Sequence, residues 1–406
     1  MTQTCRHCNT PLTLEFLDLG HAPPSNAYVS PEGLSQPELT FPLRIKACPN
    51  CRLVQTEDFA EADQLFTHDY AYFSSTSRSW LDHAARYVDM ITARLGLDAD
   101  SHVIEVASND GYLLKNFVAS GIPCLGVEPT ESTAKAAEEL GVPVLQAFFG
   151  EDMARDLPKA DLVLGNNVYA HVPDINDFTR GLREVLKPQG VITLEFPHLM
   201  RLVEFNQFDT VYHEHFSYLS LLAVERIMTA AGCRVFDVEE LPTHGGSLRI
   251  YACRAEADHQ DTPAVAALRA EEAARGMDTD AYYTAFQAKA EQVKNDFLRF
   301  LLQAEAEGKS VAAYGAAAKG NTLMNFGGVK PDLVPFVCDA APSKQGMLMP
   351  GSHVPILAPD ALTENRPDYL VIFPWNIGPE IMAQNQALAD AGTKFVTAVP
   401  ELRVLG

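Results

Sequence analysis

The chain has 406 residues, with 31 Lys and Arg against 53 Asp and Glu, so its formal net charge is −22. A surface this acidic repels phosphate backbones, and we therefore expect no nucleic-acid partner. The length predicts two or three domains, and an apolar content of 47% indicates an ordinary globular core.

No stretch of the sequence approaches the roughly 18 consecutive apolar residues of a membrane-spanning helix. The first residues, Met-Thr-Gln-Thr-Cys, lack the basic and apolar regions of a signal peptide. We therefore expect a cytoplasmic protein with no membrane partner. The oligomeric state does not follow from the sequence, and a monomer is among the states that it allows.

Two Cys-x-x-Cys pairs mark the beginning of the chain: Cys5 with Cys8, and Cys48 with Cys51. Two residues between thiolates allow both sulfurs to face one ion, and two such pairs supply the four ligands of a tetrahedral zinc site. Four thiolates leave no position open for a substrate, so the predicted zinc is structural. The alternatives are a disulfide pair, which a reducing compartment disfavours, and a redox dithiol. His7 lies between two ligands and is not expected to bind.

From about residue 100 the apolar pattern alternates between short strands and helical stretches. This alternation predicts an α/β domain with a doubly wound parallel sheet, in which a ligand binds beyond the carboxyl ends of the strands. Helices are predicted at Ser132–Leu140 and Ile175–Leu186. The predicted strands, in chain order, are His102–Ala107, Ile122–Val127, Val142–Gln146, Asp161–Asn166 and Val191–Phe196.

The first two of these strands end in polar residues with the spacing of a ribose-binding site. Ser108, Asn109, Asp110 and Gly111 follow the first strand and offer turn and helix-capping chemistry. Glu128 ends the second strand about 20 residues later, where a carboxylate suits two ribose hydroxyls. An ordinary turn with a surface carboxylate explains either feature alone. Together they favour a ribose-bearing cofactor.

This part of the sequence resembles class I S-adenosylmethionine-dependent methyltransferases. Residues 105–111 resemble their first motif, and Glu128 resembles the acidic residue that holds the ribose. The strand that ends at Asn166 is similar to their fourth strand, and Leu186–Gly190 to the turn before their fifth.

The resemblance implies S-adenosylmethionine as cofactor. Ala107 and Asn109 depart from the pattern, because many relatives carry glycines there, and this departure keeps a nicotinamide cofactor as a weaker alternative. The implied cofactor contacts are Glu105, Ser108, Asn109, Asp110, Gly111, Glu128 and Asn166.

A dense cluster of ionisable and aromatic residues follows the fifth strand, between Tyr212 and Tyr218. His213 and His215 are two residues apart, so on an extended segment they share a face, and they lack the four-residue spacing of a zincin helix. A metal site and a polar loop are the alternatives to an acid–base cluster. In that cluster Glu214 orients His215 and holds its pKa near the working pH.

Other polar side chains are predicted to meet this cluster from separate strand ends. Tyr70 and Tyr72 follow the cysteine-rich region, His171 follows the fourth strand, and His244 precedes a strand at Leu248–Cys253. Any one of them alone is as often a packing or capping residue. Several such side chains at one edge of a sheet favour a functional site.

The last third of the chain repeats the strand–turn–helix pattern and predicts a second Rossmann-like unit. Ser310–Asn321 reads as a strand, a tight turn and the start of a helix, where Lys319 favours an anion. Strands at Val334–Cys338 and Tyr369–Phe373 follow, and Asp339 ends the first of them. A scaffold without a ligand is the alternative.

Over essentially its full length the sequence resembles the sugar C-methyltransferases that act on nucleotide-linked 4-keto-6-deoxysugars. The paired Cys-x-x-Cys motifs and Tyr212–His215 carry the resemblance, with support from the cofactor loop, Tyr70–Ser75 and His244–Ser247. It implies a zinc-binding domain at 1–75, a methyltransferase domain at 76–280 and a Rossmann-like domain at 281–406 that holds the nucleotide sugar.

The resemblance also implies a mechanism. His215 would remove the proton beside the ketone with Glu214 as its partner, and Tyr212, Tyr72 and His171 would contact the substrate or its enolate. The implied contacts to the nucleotide sugar are Tyr70, His244, Lys319, Asn321 and Asp339.

We expect a dTDP-linked substrate and methylation at carbon 3. Carbon 5 flanks the same ketone and is the first alternative. An O- or N-methyltransferase of a sugar and a non-catalytic nucleotide-sugar binding protein are the others.

Overall fold

In the computed structural model, three β-sheets organise residues 3–57 and 73–405, the part of the chain that the structure describes. The sheets follow one another along the chain, and helices pack on their faces. Tyr70 and Tyr72, two of the predicted substrate contacts, lie outside the described residues.

The first sheet is antiparallel and belongs mainly to the N-terminal region. Its strands β1 (Leu14–Ala22), β2 (Phe41–Ala47) and β3 (Val54–Thr56) are joined by β9 (Ser217–Tyr218) from the middle of the chain. Alternate residues of β2 are buried, as expected for a strand with one face on a core. Because β9 pairs with β3, the segment just after His215 is hydrogen-bonded to the N-terminal sheet.

The second sheet is the predicted α/β sheet, with strand order β10-β11-β8-β7-β4-β5-β6. Strands β6, β5, β4, β7 and β8 run parallel, whereas β10 and β11 add an antiparallel edge, so the sheet is mixed. All residues of β4 are buried, as expected for a central parallel strand covered on both faces. The bounds are β4 (Val103–Val106), β5 (Cys124–Val127), β6 (Val144–Leu145), β7 (Ala160–Asn166), β8 (Leu186–Pro197), β10 (Cys233–Leu241) and β11 (Ser247–Arg254).

Local sequence signals define the helices of this region. The first begins where Ser77 accepts a hydrogen bond from the Trp80 amide, and it ends at Gly96, whose φ of 66° is a left-handed C-cap. The helices are α1 (Arg78–Leu95), α2 (Leu114–Ala119), α3 (Glu131–Glu139), α4 (Glu151–Ala154), α5 (Ile175–Glu184), α6 (Leu199–Glu204) and α7 (Leu221–Ala230).

One local expectation is wrong. Residues 186–190 do not form a turn, because they belong to β8, which starts at Leu186. Ala160 pairs with Leu186, and the register shifts before Leu162 pairs with Val191. This shift in register accommodates the residues between Leu186 and Val191, so the Pro-Gln-Gly segment lies within the strand.

The third sheet has the order β14-β13-β12-β15-β16-β17 and is parallel except for β17. Its strands are β12 (Val311–Tyr314), β13 (Val337–Cys338), β14 (Ile356–Leu357), β15 (Tyr369–Ile372), β16 (Lys394–Thr397) and β17 (Arg403–Leu405). The helices before and around it are α8 (Pro263–Ala274), α9 (Asp280–Thr284), α10 (Phe286–Ala306), α11 (Ala318–Gly327), α12 (Ala361–Glu364), α13 (Gly378–Gln384) and α14 (Gln386–Asp390).

The long helix α10 joins the third sheet to the first. Its Phe286 ring stacks on Phe16 of β1, with 4.8 Å between the ring centroids, and both side chains are fully buried. Within the described residues, no helix has the length and apolar character that crossing a membrane requires.

Candidate active site

The four cysteines of the two Cys-x-x-Cys pairs form one cluster. Cys5 Sγ lies 3.5 Å from Cys51 Sγ, Cys8 Sγ lies 3.5 Å from Cys48 Sγ, and all four sulfurs lie within 4.8 Å of one another. A disulfide needs about 2.05 Å between sulfurs, whereas tetrahedral Zn–S bonds of about 2.3 Å separate sulfurs by distances of this kind. The donor set therefore fits a closed Cys₄ zinc site. Gln55 supports it, because Nε2 donates to Cys5 Sγ at 3.2 Å.

The cofactor loop after β4 contains three residues in the left-handed region of φ: Ala107 at 57°, Asn109 at 49° and Gly111 at 73°. Asparagine and glycine adopt this conformation readily, whereas alanine adopts it at a cost. The loop thus adopts the left-handed backbone conformation that glycine favours, although alanine and asparagine occupy two of these positions. A side chain at Gly111 would lie 2.9 Å from Ala137 Cβ, so the loop also packs tightly on α3.

Several buried polar atoms at the ends of β4 and β7 have no hydrogen-bond partner among the described residues. They include Glu105 Oε2, Ser108 Oγ, Asp110 Oδ1 and both amide atoms of Asn166. Burial raises the pKa of Glu105 well above its ordinary range. Buried polar atoms are normally paired, so such a group at the carboxyl edge of a parallel sheet fits a polar ligand. The residues present therefore suit the implied cofactor.

Glu128 directly follows β5 and is buried. Its Oε2 accepts a hydrogen bond from the Asn109 amide at 2.9 Å, and its Oε1 accepts one from the Thr130 amide at 3.0 Å. The carboxylate thus fixes the cofactor loop against β5. Each oxygen retains further acceptor capacity, which a ribose hydroxyl can use.

The Tyr212–His215 segment is a turn and not an extended strand, because the His215 amide donates to the Tyr212 carbonyl at 3.0 Å. The expectation that His213 and His215 share a face is therefore wrong. His213 turns toward Phe41 of β2, with 6.0 Å between the ring centroids. His215 faces the rings of Tyr212 and His171, at centroid distances of 4.0 and 4.6 Å.

The tautomer of His215 follows from its partner. Nδ1 lies 3.0 Å from the Thr210 carbonyl oxygen, which can only accept, so Nδ1 carries the proton and Nε2 is an acceptor. Burial, reinforced by the nearby His171, drives the pKa of His215 well below its usual range. The ring is therefore neutral and has the electron pair that a base needs.

His171 follows the fourth predicted strand, here β7, and its ring is held in the same way. Its Nδ1 donates to the backbone carbonyl of Glu214 at 2.8 Å, and burial lowers its pKa to about 4. The neutral ring thus presents Nε2 as an acceptor and cannot donate from that atom.

The expected pairing of Glu214 with His215 is wrong. Asn26 Nδ2, from the N-terminal region, donates to both carboxylate oxygens of Glu214 at 3.2 and 3.0 Å. Burial raises the pKa of Glu214 to about 7. The groups that fix the orientation of the His215 ring are the Thr210 carbonyl and neighbouring rings, not the carboxylate.

His244 and Lys319 approach His215 from different sheets. His244 Nε2 lies 3.1 Å from Asn167 Nδ2, and burial lowers the pKa of His244 to about 4. Lys319 Nζ donates to Asn376 Oδ1 at 2.7 Å and lies 4.4 Å from the centre of the Trp375 ring. Burial lowers the pKa of Lys319 to about 8. His244 and Lys319 both disfavour a positive charge on His215.

Asp209 is a further buried group near Lys319. Trp375 Nε1 donates to its Oδ2 at 2.7 Å, which joins the third sheet to the turn that carries Thr210. Burial raises the pKa of Asp209 to about 6. The positive charge of Lys319 acts on this carboxyl and opposes the shift.

The side chains of Asn321 and Asp339 contact the protein itself. Asn321 Nδ2 donates to the Ser25 carbonyl at 2.6 Å. Asp339 accepts hydrogen bonds at 2.8 Å from the amides of Ala316 and Ala341, one on each oxygen. Both residues therefore order the turn after β12 and its contact with the N-terminal region.

Four residues of the site could not be assigned to it from the sequence alone or were not predicted: Asn26, Thr210, Asp209 and Trp375. Thr210 acts through its backbone carbonyl, so no side-chain pattern could reveal it. Asn26 and Trp375 lie far along the chain from their partners Glu214 and Asp209. Asp209 is the exception, because a carboxylate just before the Tyr212–Tyr218 cluster was a visible signal.

The mixed seven-stranded sheet, with unpaired polar groups at the ends of β4 and β7, agrees with the matches to known families, and these matches define the class: the protein is an S-adenosylmethionine-dependent methyltransferase. Family models match it in three parts. They are described as "Putative zinc binding domain" over residues 5–66, "Methyltransferase domain" over 80–238 and "C-methyltransferase C-terminal domain" over 242–400.

The chain belongs to the C-methyltransferase family that includes NovU of Streptomyces niveus. It is 35% identical to the C-methyltransferase NovU over 405 residues, which cover 99% of this chain and 96% of that protein. An uncharacterized methyltransferase of Mycobacterium leprae is 33% identical over 99 residues, covering 23% of this chain and 36% of that protein.

Solved structures give a weaker likeness. An S-adenosylmethionine-dependent methyltransferase from Clostridium acetobutylicum is 10% identical with a TM-score of 0.35, and the match covers 43% of this chain and 92% of that one.

Proposed function

We propose that the protein methylates carbon 3 of a nucleotide-linked 4-keto-6-deoxysugar, with dTDP as the expected nucleotide. The observation that carries the proposal is the hydrogen bond from His215 Nδ1 to the Thr210 carbonyl, which makes Nε2 of a neutral ring available as a base. Likeness to a C-methyltransferase along the whole chain supports a carbon nucleophile. A carbon beside a ketone becomes nucleophilic only after it loses a proton, so it needs such a base.

When bound, S-adenosylmethionine supplies an electrophilic methyl group. His215 Nε2 takes the proton from carbon 3, and the electron pair of the broken C–H bond moves toward the ketone oxygen to give an enolate. The cofactor, which Glu105, Glu128 and Asn166 would help to hold, would supply the methyl group for a new bond to carbon 3, and the bond from that methyl carbon to sulfur would break. Carbon 5, on the other side of the ketone, is the alternative site of the same chemistry.

The neighbours of His215 have separate roles in this proposal. Tyr212 donates a hydrogen bond to the developing oxyanion, since its ring lies against that of His215. His171 accepts a hydrogen bond from the substrate, because its Nδ1 proton is already committed to the Glu214 carbonyl. Glu214 holds the His171 ring through its backbone carbonyl, and Asn26 holds the Glu214 carboxylate. Tyr72, which lies outside the described residues, is a further proposed substrate contact.

We further propose how the ligands are held. The cofactor contacts Glu105, Glu128 and Asn166 together with the loop 108–111. Lys319, His244 and Tyr70 contact the nucleotide sugar, and Asn321 and Asp339 shape its site. The proposed domains are 1–75 for zinc, 76–280 for the cofactor and 281–406 for the nucleotide, in a cytoplasmic protein.

The test is incubation with several nucleotide-linked 4-ketosugars that differ at carbons 2 and 3, followed by mass spectrometry and NMR of the product. We expect one added methyl group bonded to carbon 3. A methyl group on oxygen or nitrogen would refute the proposed carbon chemistry, and a methyl group on carbon 5 would refute the regiochemistry alone.

The base is tested by His215→Asn. We expect the dissociation constant for S-adenosylmethionine, measured by calorimetry, to stay within about twofold, while kcat falls by roughly 10²- to 10⁴-fold. His213→Asn is the matched control, because the ring of His213 faces Phe41 of β2. Full turnover by His215→Asn would rule out this residue as the base.

Lys319→Ala tests the anion site. We expect the KM for the nucleotide sugar to rise by about tenfold or more and the KM for the cofactor to change little, because a partly buried cation near a diphosphate makes charge-assisted contacts. An unchanged KM for the nucleotide sugar would argue against this role.

A further inference from the structure

The first cysteine pair of the zinc site carries an arginine that reaches the proposed catalytic segments. Arg6 lies directly after the ligand Cys5, and its Nη1 donates to the Pro173 carbonyl at 2.8 Å. Its guanidinium carbon also lies 5.3 Å from the centre of the Phe216 ring. Pro173 is two residues beyond His171, and Phe216 directly follows His215.

The second nitrogen of the guanidinium extends the same bridge. Arg6 Nη2 donates to the Thr56 carbonyl at 3.2 Å, and the Thr56 amide donates to the Phe216 carbonyl at 3.2 Å. Thr56 ends β3, which pairs with β9 two residues beyond His215. One planar side chain therefore contacts the backbone two residues after His171 and, through the Phe216 ring and the Thr56 carbonyl, reaches the segment that follows His215.

The neighbouring residue strengthens the connection between the zinc site and the His171 segment. His7 Nδ1 and Asn176 Oδ1 are 2.7 Å apart, and Asn176 Nδ2 donates to the Arg6 and His7 carbonyls at 3.2 and 2.9 Å. Asn176 lies in the first turn of α5, which starts at Ile175. The turn that presents two zinc ligands is thus hydrogen-bonded to the helix that follows His171.

The order of these contacts ties the metal cluster to the chemistry. Gln55 donates to Cys5 Sγ at 3.2 Å and accepts from the Arg6 amide at 2.9 Å, so the zinc ligand, Arg6 and β3 form one hydrogen-bonded unit. The four thiolates themselves complete a closed site and leave no position for a substrate. Any effect of the zinc site on the reaction therefore depends on the residues next to its ligands, such as Arg6 and Gln55.

We propose that Arg6 is a positioning residue that fixes His171 and His215 relative to each other. An intact zinc site then sets the geometry of the catalytic histidines. The inference rests on the proposed function for the catalytic role of the two histidines. A displacement of about 1 Å at a reacting group costs on the order of 100-fold in rate. Loss of a two-pronged arginine contact next to both segments allows displacements of that size.

Arg52 is a matched control. It directly follows the ligand Cys51, as Arg6 follows Cys5, and it also makes two hydrogen bonds and a ring contact. Its Nη1 donates to Asp280 Oδ1 at 2.6 Å and its Nη2 to the Asp278 carbonyl at 2.8 Å, on the side of α9. Its guanidinium carbon lies 5.9 Å from the centre of the Tyr283 ring. Both arginines directly follow a cysteine of the cluster, and they differ in the segments that their guanidinium groups contact.

The experiment compares Arg6→Ala, Arg6→Lys and Arg52→Ala as full-length zinc-loaded proteins. Zinc content, melting temperature, calorimetric affinity for S-adenosylmethionine, kcat and KM are measured for each variant. Long-range proton–nitrogen NMR correlations report the ring nitrogens of His171 and His215. We expect Arg6→Ala to lose at least tenfold in kcat with cofactor affinity unchanged and with shifted ring signals of both histidines. Arg52→Ala should keep kcat within about twofold and keep those signals.

Equal kcat values for Arg6→Ala and Arg52→Ala, with unshifted histidine signals, would overturn the inference. If Arg6→Ala loses zinc or does not fold, Arg6→Lys decides: it keeps the charge but lacks the fork. A loss of about threefold or more in kcat at full zinc content supports the inference, and wild-type kcat overturns it. Full activity of His215→Asn would instead refute the proposed function, while the histidine signals would still report the Arg6 contact.

Discussion

At the scale of single residues, the most informative group is the buried carboxyl of Glu214. Burial raises its pKa to about 7, whereas an unfolded chain gives glutamate a pKa of about 4.3. The folded protein therefore holds this proton more tightly than the unfolded chain. The stability that the protonated carboxyl contributes is complete below about pH 4.3 and is lost as the pH rises through about 7.

Glu214→Gln removes this ionisation. We expect its free energy of unfolding, relative to wild type, to increase from about pH 5 to about pH 8.5 by on the order of 2 kcal/mol. Urea unfolding at the two pH values measures the change. Glu380→Gln, an exposed carboxylate on α13, is the control and should show no such increase. A difference that does not vary with pH would contradict the account.

At the scale of elements, the cofactor loop shows how far sequence patterns reach. The strand–helix alternation correctly predicted the parallel strands and the polar loop after β4. Ala107 and Asn109 depart from the glycines of the methyltransferase motif, but both adopt the left-handed backbone that glycine favours. A residue type marks a preference for a conformation and does not reveal which conformation the surrounding structure imposes.

Ala107 should therefore tolerate glycine unusually well. Left-handed alanine costs about 1–2 kcal/mol, and glycine removes that cost at a loss of about 0.5–1 kcal/mol in chain entropy. We expect Ala107→Gly to be neutral or to stabilise by up to about 1 kcal/mol in urea unfolding. Ala270→Gly, on an exposed position within α8, should lose about 1 kcal/mol. Equal losses at the two positions would show that Ala107 is not strained.

At the scale of the whole molecule, the site is assembled from all three sheets. The residues of the Tyr212–His215 cluster could be predicted because they are adjacent in sequence and chemically distinctive. Their supports could not, because Asn26 meets Glu214 and Trp375 meets Asp209 only through the packing of separate domains. Tertiary hydrogen bonds of this kind have no local sequence period.

The contact between Asp209 and Trp375 can be measured as a tie between domains. A double-mutant cycle with Asp209→Asn and Trp375→Phe isolates their interaction free energy. We expect a coupling of about 1–3 kcal/mol in unfolding, because the acceptor of the hydrogen bond is the buried carboxyl group of Asp209. Additive effects within about 0.3 kcal/mol would mean that this contact does not join the third sheet to the site.

The central claim is that His215 removes a proton from the carbon beside the substrate ketone. It is tested most directly by NMR of a nucleotide-linked 4-ketosugar in D₂O with enzyme and S-adenosylhomocysteine, where no methyl group can be transferred. We predict that the wild-type enzyme exchanges the carbon 3 hydrogen for deuterium well above the rate in buffer, and that His215→Asn exchanges it at the buffer rate. Exchange by His215→Asn at the wild-type rate, or none above buffer with either protein, would contradict the claim.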